Sequence, residues 1–354
     1  MKRVINMLMA WGTSAPMSEM VPGKVNDMYD GSRVTAFRTS AGECWAIFIR
    51  KFSLSKRTVE DLINNCHPKN AEIPLKLIYF IMRGEVTSAF TGQQNTGKTT
   101  MMAAAIAFCR RVNIRILEMS FELQLRELYK DRNIFTAKPG GKFTNSTIQD
   151  LLKKTDAYIS MVGEVAEDIV VPRMIQFCLV ASACTYFSHH GRDDFGLVNG
   201  LANSMVASGE YENHDVAISV VLDAIKSNVH LGFWGNNRVI EYISEIIKLD
   251  EIAPYPELPD RVESVEEAIL SVGRVAREYY TRTTDRVRFE SIKIMRFDPK
   301  TGSYRPGEWY SPEMEEKIKL KLDDQDLALF GEFYYTYWGL RGKGTAAQLM
   351  QKGE

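Results

Sequence analysis

None of the five cysteines, Cys44, Cys66, Cys109, Cys178 and Cys184, stands in a CxxC pair, and the count is odd. That argues against a disulfide framework and fits reduced, buried thiols. The chain has no uninterrupted apolar run of about 18 residues, so no membrane span is expected. It also lacks any excess of basic charge. The formal net charge is -1, which removes the global positive field of a nucleic-acid or acidic-membrane binder, though not a local basic face. Cys66-His67 is an adjacent pair without further ligand spacing, which is too little for a metal site. No repeat of about 20–50 residues and no low-complexity segment is present. The N-terminal MKRVINMLMAWGTSAPM is broken by Asn6, Gly12 and Thr13, and reads as an amphipathic helix rather than a leader.

What is present suits a globular chain of 354 residues, 45% hydrophobic and 25% charged, long enough for two domains. Residues 1–55 read as a helix followed by β structure, with a turn at Asp30-Gly31-Ser32 and paired strands at 33–37 and 44–50. A short helix over 58–64 and the prolines Pro68 and Pro74 mark a linker over 56–72. From 73 to about 250, helix and strand alternate. Helices are expected over 75–82, 99–112, 146–154, 168–182 and 193–207, and strands over 86–91, 114–118, 157–162 and 184–188. Strands separated by helices of this length imply βαβ crossovers and an α/β fold with a mostly parallel sheet. An antiparallel hairpin over 228–233 and 239–247 turns at Gly235-Asn236-Asn237. Pro254, Pro256 and Pro259 form a second linker. Residues 251–354 then carry a charged helix, a closing strand at 291–297, a helix after Ser311-Pro312 and an aromatic tail over 327–340. The density of Phe and Tyr in that tail points to a helix packed on the body or on a neighbour rather than to a ligand site.

The strongest motif is Gly92-Gln93-Gln94-Asn95-Thr96-Gly97-Lys98-Thr99-Thr100, which fits GxxxxGK[ST] without departure. A strand precedes it and a helix follows. In such a loop successive backbone N–H groups curl around phosphate and the helix adds its positive end. Lys98 is placed to meet the β- and γ-phosphates of a nucleoside triphosphate such as ATP, and the Thr99 hydroxyl to ligate Mg²⁺. Glu164, at the C-terminal edge of the strand over 157–162, is the candidate carboxylate for the Mg²⁺ water shell or the attacking water. Glu118 and Glu122 follow the strand over 114–118, and either is a candidate base for that water. His189 and His190 close the next strand, where a tandem histidine can sense the γ-phosphate by hydrogen bonding.

Taken in order, these blocks resemble the secretion and pilus-assembly ATPase superfamily, in its CpaF-like branch. DGSRVTAF (30–37) with IFIRKF (47–52) is similar to the end of that family's N-terminal domain. GQQNTGKTT (92–100), LEMSFELQL (117–125), DAYISMVGEV (156–165) and SHHGRDDFGLVNGLANSM (188–205) resemble its Walker A, Asp box, Walker B and His box segments. NNRVIEYISEI (236–246) and ESIKIMRFDPKTGSY (290–304) resemble its hairpin and closing strand. The resemblance implies a RecA-like P-loop NTPase core over 73–250, preceded by a small, partial α+β N-terminal domain. It further implies a homo-hexameric ATPase motor working on ATP and Mg²⁺ at the inner face of the cell membrane, against an inner-membrane platform protein of a pilus or secretion system. Arginines of the N-terminal domain reach the γ-phosphate in that family, and Arg50 lies in the matching segment, with Arg33 and Arg38 as weaker candidates.

Departures from the pattern bear on turnover more than on binding. Met119 replaces the Asp box aspartate, Ala166 the arginine of VGEVRG, and Ser182-Ala183-Cys184 a Gly-His pair. The chain also begins near the end of the N-terminal domain, without much of the usual extension. A nucleotide-binding ring subunit with little hydrolysis is therefore the alternative expectation. A nucleic-acid translocase is a third, disfavoured by the charge, and no direct sequence-specific nucleic-acid binding is expected.

Overall fold

The computed structural model describes residues 2–10, 17–28, 32–51, 57–119, 121, 123–139, 144–165, 168–249, 264–283 and 288–339. The elements before the P-loop are α1 (Lys2–Ala10), β1 (Gly23–Asp27), β2 (Arg33–Phe37), β3 (Ala46–Arg50), α2 (Val59–Ile63) and α3 (Glu72–Arg83). Strands β1–β3 form an antiparallel sheet of their own, and Ile5 and Met9 of α1 bury against its Val34 and Ala36. β1 was not legible as a strand, because Gly23, Lys24, Asn26 and Asp27 are poor strand formers and only the ladder to β2 holds them extended. A capping box between Thr58 and Asp61 starts α2.

From the P-loop onward the chain runs through β4 (Ser88–Gly92), α4 (Lys98–Ala105), β5 (Ile114–Leu117), α5 (Leu125–Leu128), β6 (Ile134–Ala137), α6 (Asn145–Lys153), β7 (Ile159–Val165) and α7 (Val170–Gln176). It continues through β8 (Cys184–His189), α8 (Asp194–Ala207), α9 (His214–Ala224), β9 (Ser227–Trp234), β10 (Asn237–Lys248), α10 (Val265–Thr283), β11 (Phe289–Asp298), β12 (Ser303–Pro306), α11 (Pro312–Lys319) and α12 (Asp324–Tyr337). Nine strands form one sheet in the order β12-β11-β10-β9-β4-β8-β7-β5-β6. All pairings from β9 to β6 are parallel and those from β9 to β12 antiparallel. The chain is thus the expected α/β fold with a mostly parallel, RecA-like core. Strand β4 is wholly buried, as a central parallel strand covered on both faces must be.

After β4 the chain crosses to β5 on one side, and after β8 it returns past β4 to β9 on the other. The carboxyl end of β4 is therefore a topological switch point, where open α/β sheets place their ligands. The P-loop sits there.

Several boundaries differ from the sequence reading. The helix after the P-loop stops at Ala105 and one 3₁₀ turn over Ile106–Phe108 ends it, instead of running to Val112. Arg132 explains the stop: its guanidinium donates to the carbonyls of Ala107, Cys109 and Arg110, satisfying the open helix end. The helix expected over 168–182 is α7 followed by a π turn over Phe177–Ala181. Strand β7 begins at Ile159 and extends to Val165, so Glu164 lies within it rather than beyond it. β6, α9 and β12 were not anticipated. The Asp30-Gly31 part of the first turn and the prolines at 254, 256 and 259 lie outside the described residues.

Helix α12 buries Phe330 and Phe333 against Phe80 of α3, with ring centroids 4.9 and 5.8 Å apart. Its first turn is fixed by Asp326, buried and bound by Arg83 Nε at 2.8 Å and the Tyr79 hydroxyl at 2.5 Å. Asp326→Ala leaves Arg83 without its main partner and is expected to cost about 3 kcal/mol, read as a lower denaturant midpoint with an unchanged slope. An unchanged midpoint would show that the aromatic contacts alone dock the helix. Among the described residues no helix is long and apolar enough to cross a membrane, and no group of three or more His, Cys, Asp or Glu residues is arranged to hold a metal ion.

Candidate nucleotide site

Two glycines make the loop between β4 and α4 possible. Gly92 has φ +139°, and a Cβ there would stand 2.1 Å from the Leu231 carbonyl oxygen of β9. Gly97, the residue preceding α4, has φ +90°. Both conformations are costly for any side chain. Between them Gln93, Gln94 and Asn95 are exposed, Asn95 at φ 65°, while the Thr96 hydroxyl turns inward to donate to Gln93 O at 2.9 Å. Arg238, the second residue of β10, donates from Nε to Asn95 O at 2.7 Å and clamps the loop from the hairpin.

Lys98 is only 6% exposed. Its ammonium donates to the carbonyls of Gly92 at 3.1 Å and Gln93 at 2.8 Å, and lies 3.3 Å from His190 Nδ1. Burial pushes the Lys98 pKa below its ordinary value, opposed by the Glu164 charge. Because an ammonium only donates, Nδ1 of His190 accepts, and Nε2 carries the proton it gives to Glu164 Oε1 at 2.8 Å. Lys98 at the start of α4, His190 just after β8 and Glu164 in β7 thus form one chain of contacts beside the open loop.

The tandem histidines part company here. His190 joins the cluster, whereas His189 is half-buried, pushed down in pKa by desolvation, and bonded through Nδ1 to Val165 O at 3.1 Å. With the Ser188 hydroxyl donating to Gly163 O at 2.6 Å, it ties the end of β8 to that of β7. Glu118 is also buried, with Oε1 accepting from Leu123 N at 2.9 Å, and its Cγ is 3.0 Å from where a Cβ on Gly163 would stand. It lies beside the Glu164 strand and braces Leu123. Met119 is 40% exposed. Glu122 and Ala166 lie outside the described residues. Thr99 and Thr100 stand in the first turn of α4, half-buried and exposed.

Arg50 ends β3 and pairs in register with Arg33, which contacts Asp27 at 3.4 Å. Asp27 in turn is held by Lys138, just after β6, at 3.2 Å. That attaches the first sheet to the β6 side of the core, four strands from β4, or about 19 Å at the usual strand spacing. On the other side of the P-loop, Arg57, Leu62, Thr100, Met101, Ile240 and Tyr304 line an apolar crevice that Arg238 borders. Sequence reasoning did not single out Arg238, although its place two residues after the hairpin turn, on the strand next to the one beside β4, was the available signal.

No family model and no curated protein matches the chain. Solved structures do. Among them are ATPases and a pilus motor. The VirB11 ATPase of the Brucella suis type IV secretion system is 16% identical, over 64% of this chain and 74% of that one, with a TM-score of 0.44. The Legionella pneumophila ATPase DotB is 14% identical, over 73% of this chain and 66% of that one, at 0.47. The pilus retraction motor PilT with bound ADP is 13% identical, over 73% and 69%, at 0.48. At such identities and scores the likeness decides nothing about chemistry, which rests on the residues themselves.

Proposed function

We propose that the chain binds ATP with Mg²⁺ at the loop 92–100 and hydrolyses it. One observation carries this reading: the buried Lys98, held at the mouth of the Gly92–Gly97 cradle and linked through His190 to Glu164. The two glycines, each in a conformation or a space that excludes a side chain, fit a loop whose N–H groups enclose phosphate. Lys98 would meet the β- and γ-phosphate oxygens, and the Thr99 hydroxyl, with Glu164 through water, would hold the Mg²⁺ that neutralises their charge. Glu164 orients the attacking water; the water's oxygen bonds to the γ-phosphorus as the bond to the β–γ bridging oxygen breaks, and the water's proton passes to a γ-phosphate oxygen, giving ADP and inorganic phosphate. His190 keeps Glu164 and Lys98 at a fixed separation. The crevice beside Thr100, bordered by Arg238, takes the nucleobase.

Purpose is a coarser step. A hexameric ring that turns hydrolysis into pilus assembly or secretion against a membrane platform protein, at the inner face of the membrane, is the reading most consistent with the ordered motifs. The bracing role of Glu118 and the exposed Met119 in place of an acid favour a slower alternative, a nucleotide-binding ring subunit with little hydrolysis. Phosphate release from the purified protein, with ATP and Mg²⁺, separates the two. Release that exceeds a Lys98→Ala control and vanishes with a metal chelator supports the motor; release equal to that control, partners included, leaves the structural subunit.

A further inference from the structure

Beneath the P-loop the apolar core contains a connected set of polar side chains that the proposed chemistry does not use. Thr91, the residue before Gly92, donates its hydroxyl proton to Asn228 Oδ1 at 2.8 Å. Asn228 Nδ2 donates to Asp194 Oδ1 at 2.6 Å. Asp194, only 1% exposed, also receives Ser291 Oγ and the ammonium of Lys293, with the Tyr242 hydroxyl 3.4 Å away. Thr91 Oγ1 lies 2.8 Å from His230 Nδ1 as well.

The proton positions follow from donor and acceptor capacity. A carboxylate only accepts, so the amide nitrogen of Asn228 faces Asp194 and its oxygen faces Thr91. The single Thr91 proton is then spent, and the His230 contact requires Nδ1–H to donate to Oγ1. His230 is neutral at pH 7, burial pushing its pKa down to about 4. Its Nε2 lone pair therefore faces Glu241 Oε2, 3.7 Å away. The bulge in β10 between Ile240 and Tyr242 sets Tyr242 opposite His230, with the rings stacked at 4.7 Å and 8°. Lys293 covers the Tyr242 ring at 3.5 Å.

This set costs the fold something. Ala89 and Phe187 lie on the same face of the sheet, and Leu197 and Val198 of α8 belong to the same apolar cluster, all fully buried; an ion pair in such surroundings is weak evidence for stability. What it does is fix position. Thr91 leads directly into Gly92, and Asp194 opens α8 four residues after His190. The loop 190–193 is thus anchored on two sides: to β7 through His189 and Ser188, and to β4 and β9 through Asp194 and Asn228.

We propose that the chain of contacts His230–Thr91–Asn228–Asp194–Lys293 is a positioning device that holds the His190 loop against the phosphate-binding strand, and so sets turnover rather than nucleotide affinity. The inference rests on the ATP-hydrolysing reading. Thr91→Val keeps the volume and removes the link; Thr91→Ser keeps the hydroxyl. Thr91→Val is expected to lower kcat about tenfold or more, since misplacement of even 1 Å can cost that much, with the KM for ATP and the affinity for a fluorescent ATP analogue within about twofold. Thr91→Ser should restore most of kcat. His230→Phe, which keeps the stack on Tyr242 but loses the donor, should show the same split, and serves if Thr91→Val does not fold. Unchanged kcat in these variants, or equal loss of affinity and kcat without rescue by serine, overturns the device while leaving the ATPase reading intact. Wild type no more active than Lys98→Ala overturns that reading and this inference with it.

Discussion

Lys98→Ala is expected to weaken nucleotide binding about a hundredfold, whereas Glu164→Gln keeps affinity within a few-fold and loses turnover by about a hundredfold. The difference lies in what each side chain touches. Lys98 is a buried cation whose partners among the described residues are two loop carbonyls and His190, so its charge is available to phosphate at low solvent screening. A charge-assisted hydrogen bond of this kind contributes about 2–3 kcal/mol, and alanine removes it from ground state and transition state alike. Glu164 lies within β7 with its side chain half exposed, and its Oε1 accepts from His190. Glutamine preserves the shape and the bond to His190 but not the charge that orients water and Mg²⁺. Titration with a fluorescent ATP analogue, beside single-turnover phosphate release, reads the two effects separately. Equal loss of affinity in both variants would contradict the role given to Glu164, and unchanged affinity in Lys98→Ala would contradict the loop as the phosphate site. If the chain forms a ring, the Glu164→Gln variant should hold ATP in the assembled state.

The residues of the proposed site were legible because their signal is local. GxxxxGKT needs two glycines with φ values no side chain tolerates, at fixed spacing from a lysine, and those constraints appear in eight consecutive letters. Glu164 and His190 were legible as ends of strands whose apolar runs place them at the sheet's carboxyl edge. The same rule grouped His189 and Glu118 with them, and their side chains are placed differently. Strand ends sit at the functional edge, but whether a side chain faces the ligand or the neighbouring strand depends on register, and both of these turn to bind backbone of the adjacent segment. The short edge elements β1 and β12 carry little propensity and exist through their ladders, whereas β6 has strand-forming residues but only four of them, too few to stand out. Arg50 was carried by resemblance alone. Its attachment through Arg33, Asp27 and Lys138 depends on ion pairs between segments 111 residues apart, which no local pattern encodes.

The buried set around Asp194 shows the same limit most sharply, since Asp194 and Lys293 are 99 residues apart and each alone reads as a surface charge. Removing Asp194 should have a large effect on stability. The Asp194 carboxyl pays for burial, yet the Lys293 ammonium and the Asn228 and Ser291 donors together hold its pKa below the ordinary carboxylate value. Burial presses the Lys293 pKa down, and Asp194 is the main influence opposing that. Asp194→Ala therefore leaves the part-buried Lys293 ammonium and the donors of Asn228, Ser291 and Tyr242 without their acceptor, a loss of about 3 kcal/mol in unfolding free energy. The sign reverses if the whole pair is replaced: Asp194→Leu with Lys293→Met removes both desolvation penalties and is expected to recover most of that stability. Denaturant unfolding of the single and double variants checks this, and a double variant as unstable as Asp194→Ala would refute the ion pair as the cause. Stability and turnover should then separate. The double variant, folded but without the link from α8 to Asn228 and Thr91, should bind the fluorescent ATP analogue as wild type does and still release phosphate slowly, because an apolar pair can fill that space without fixing where the His190 loop stands.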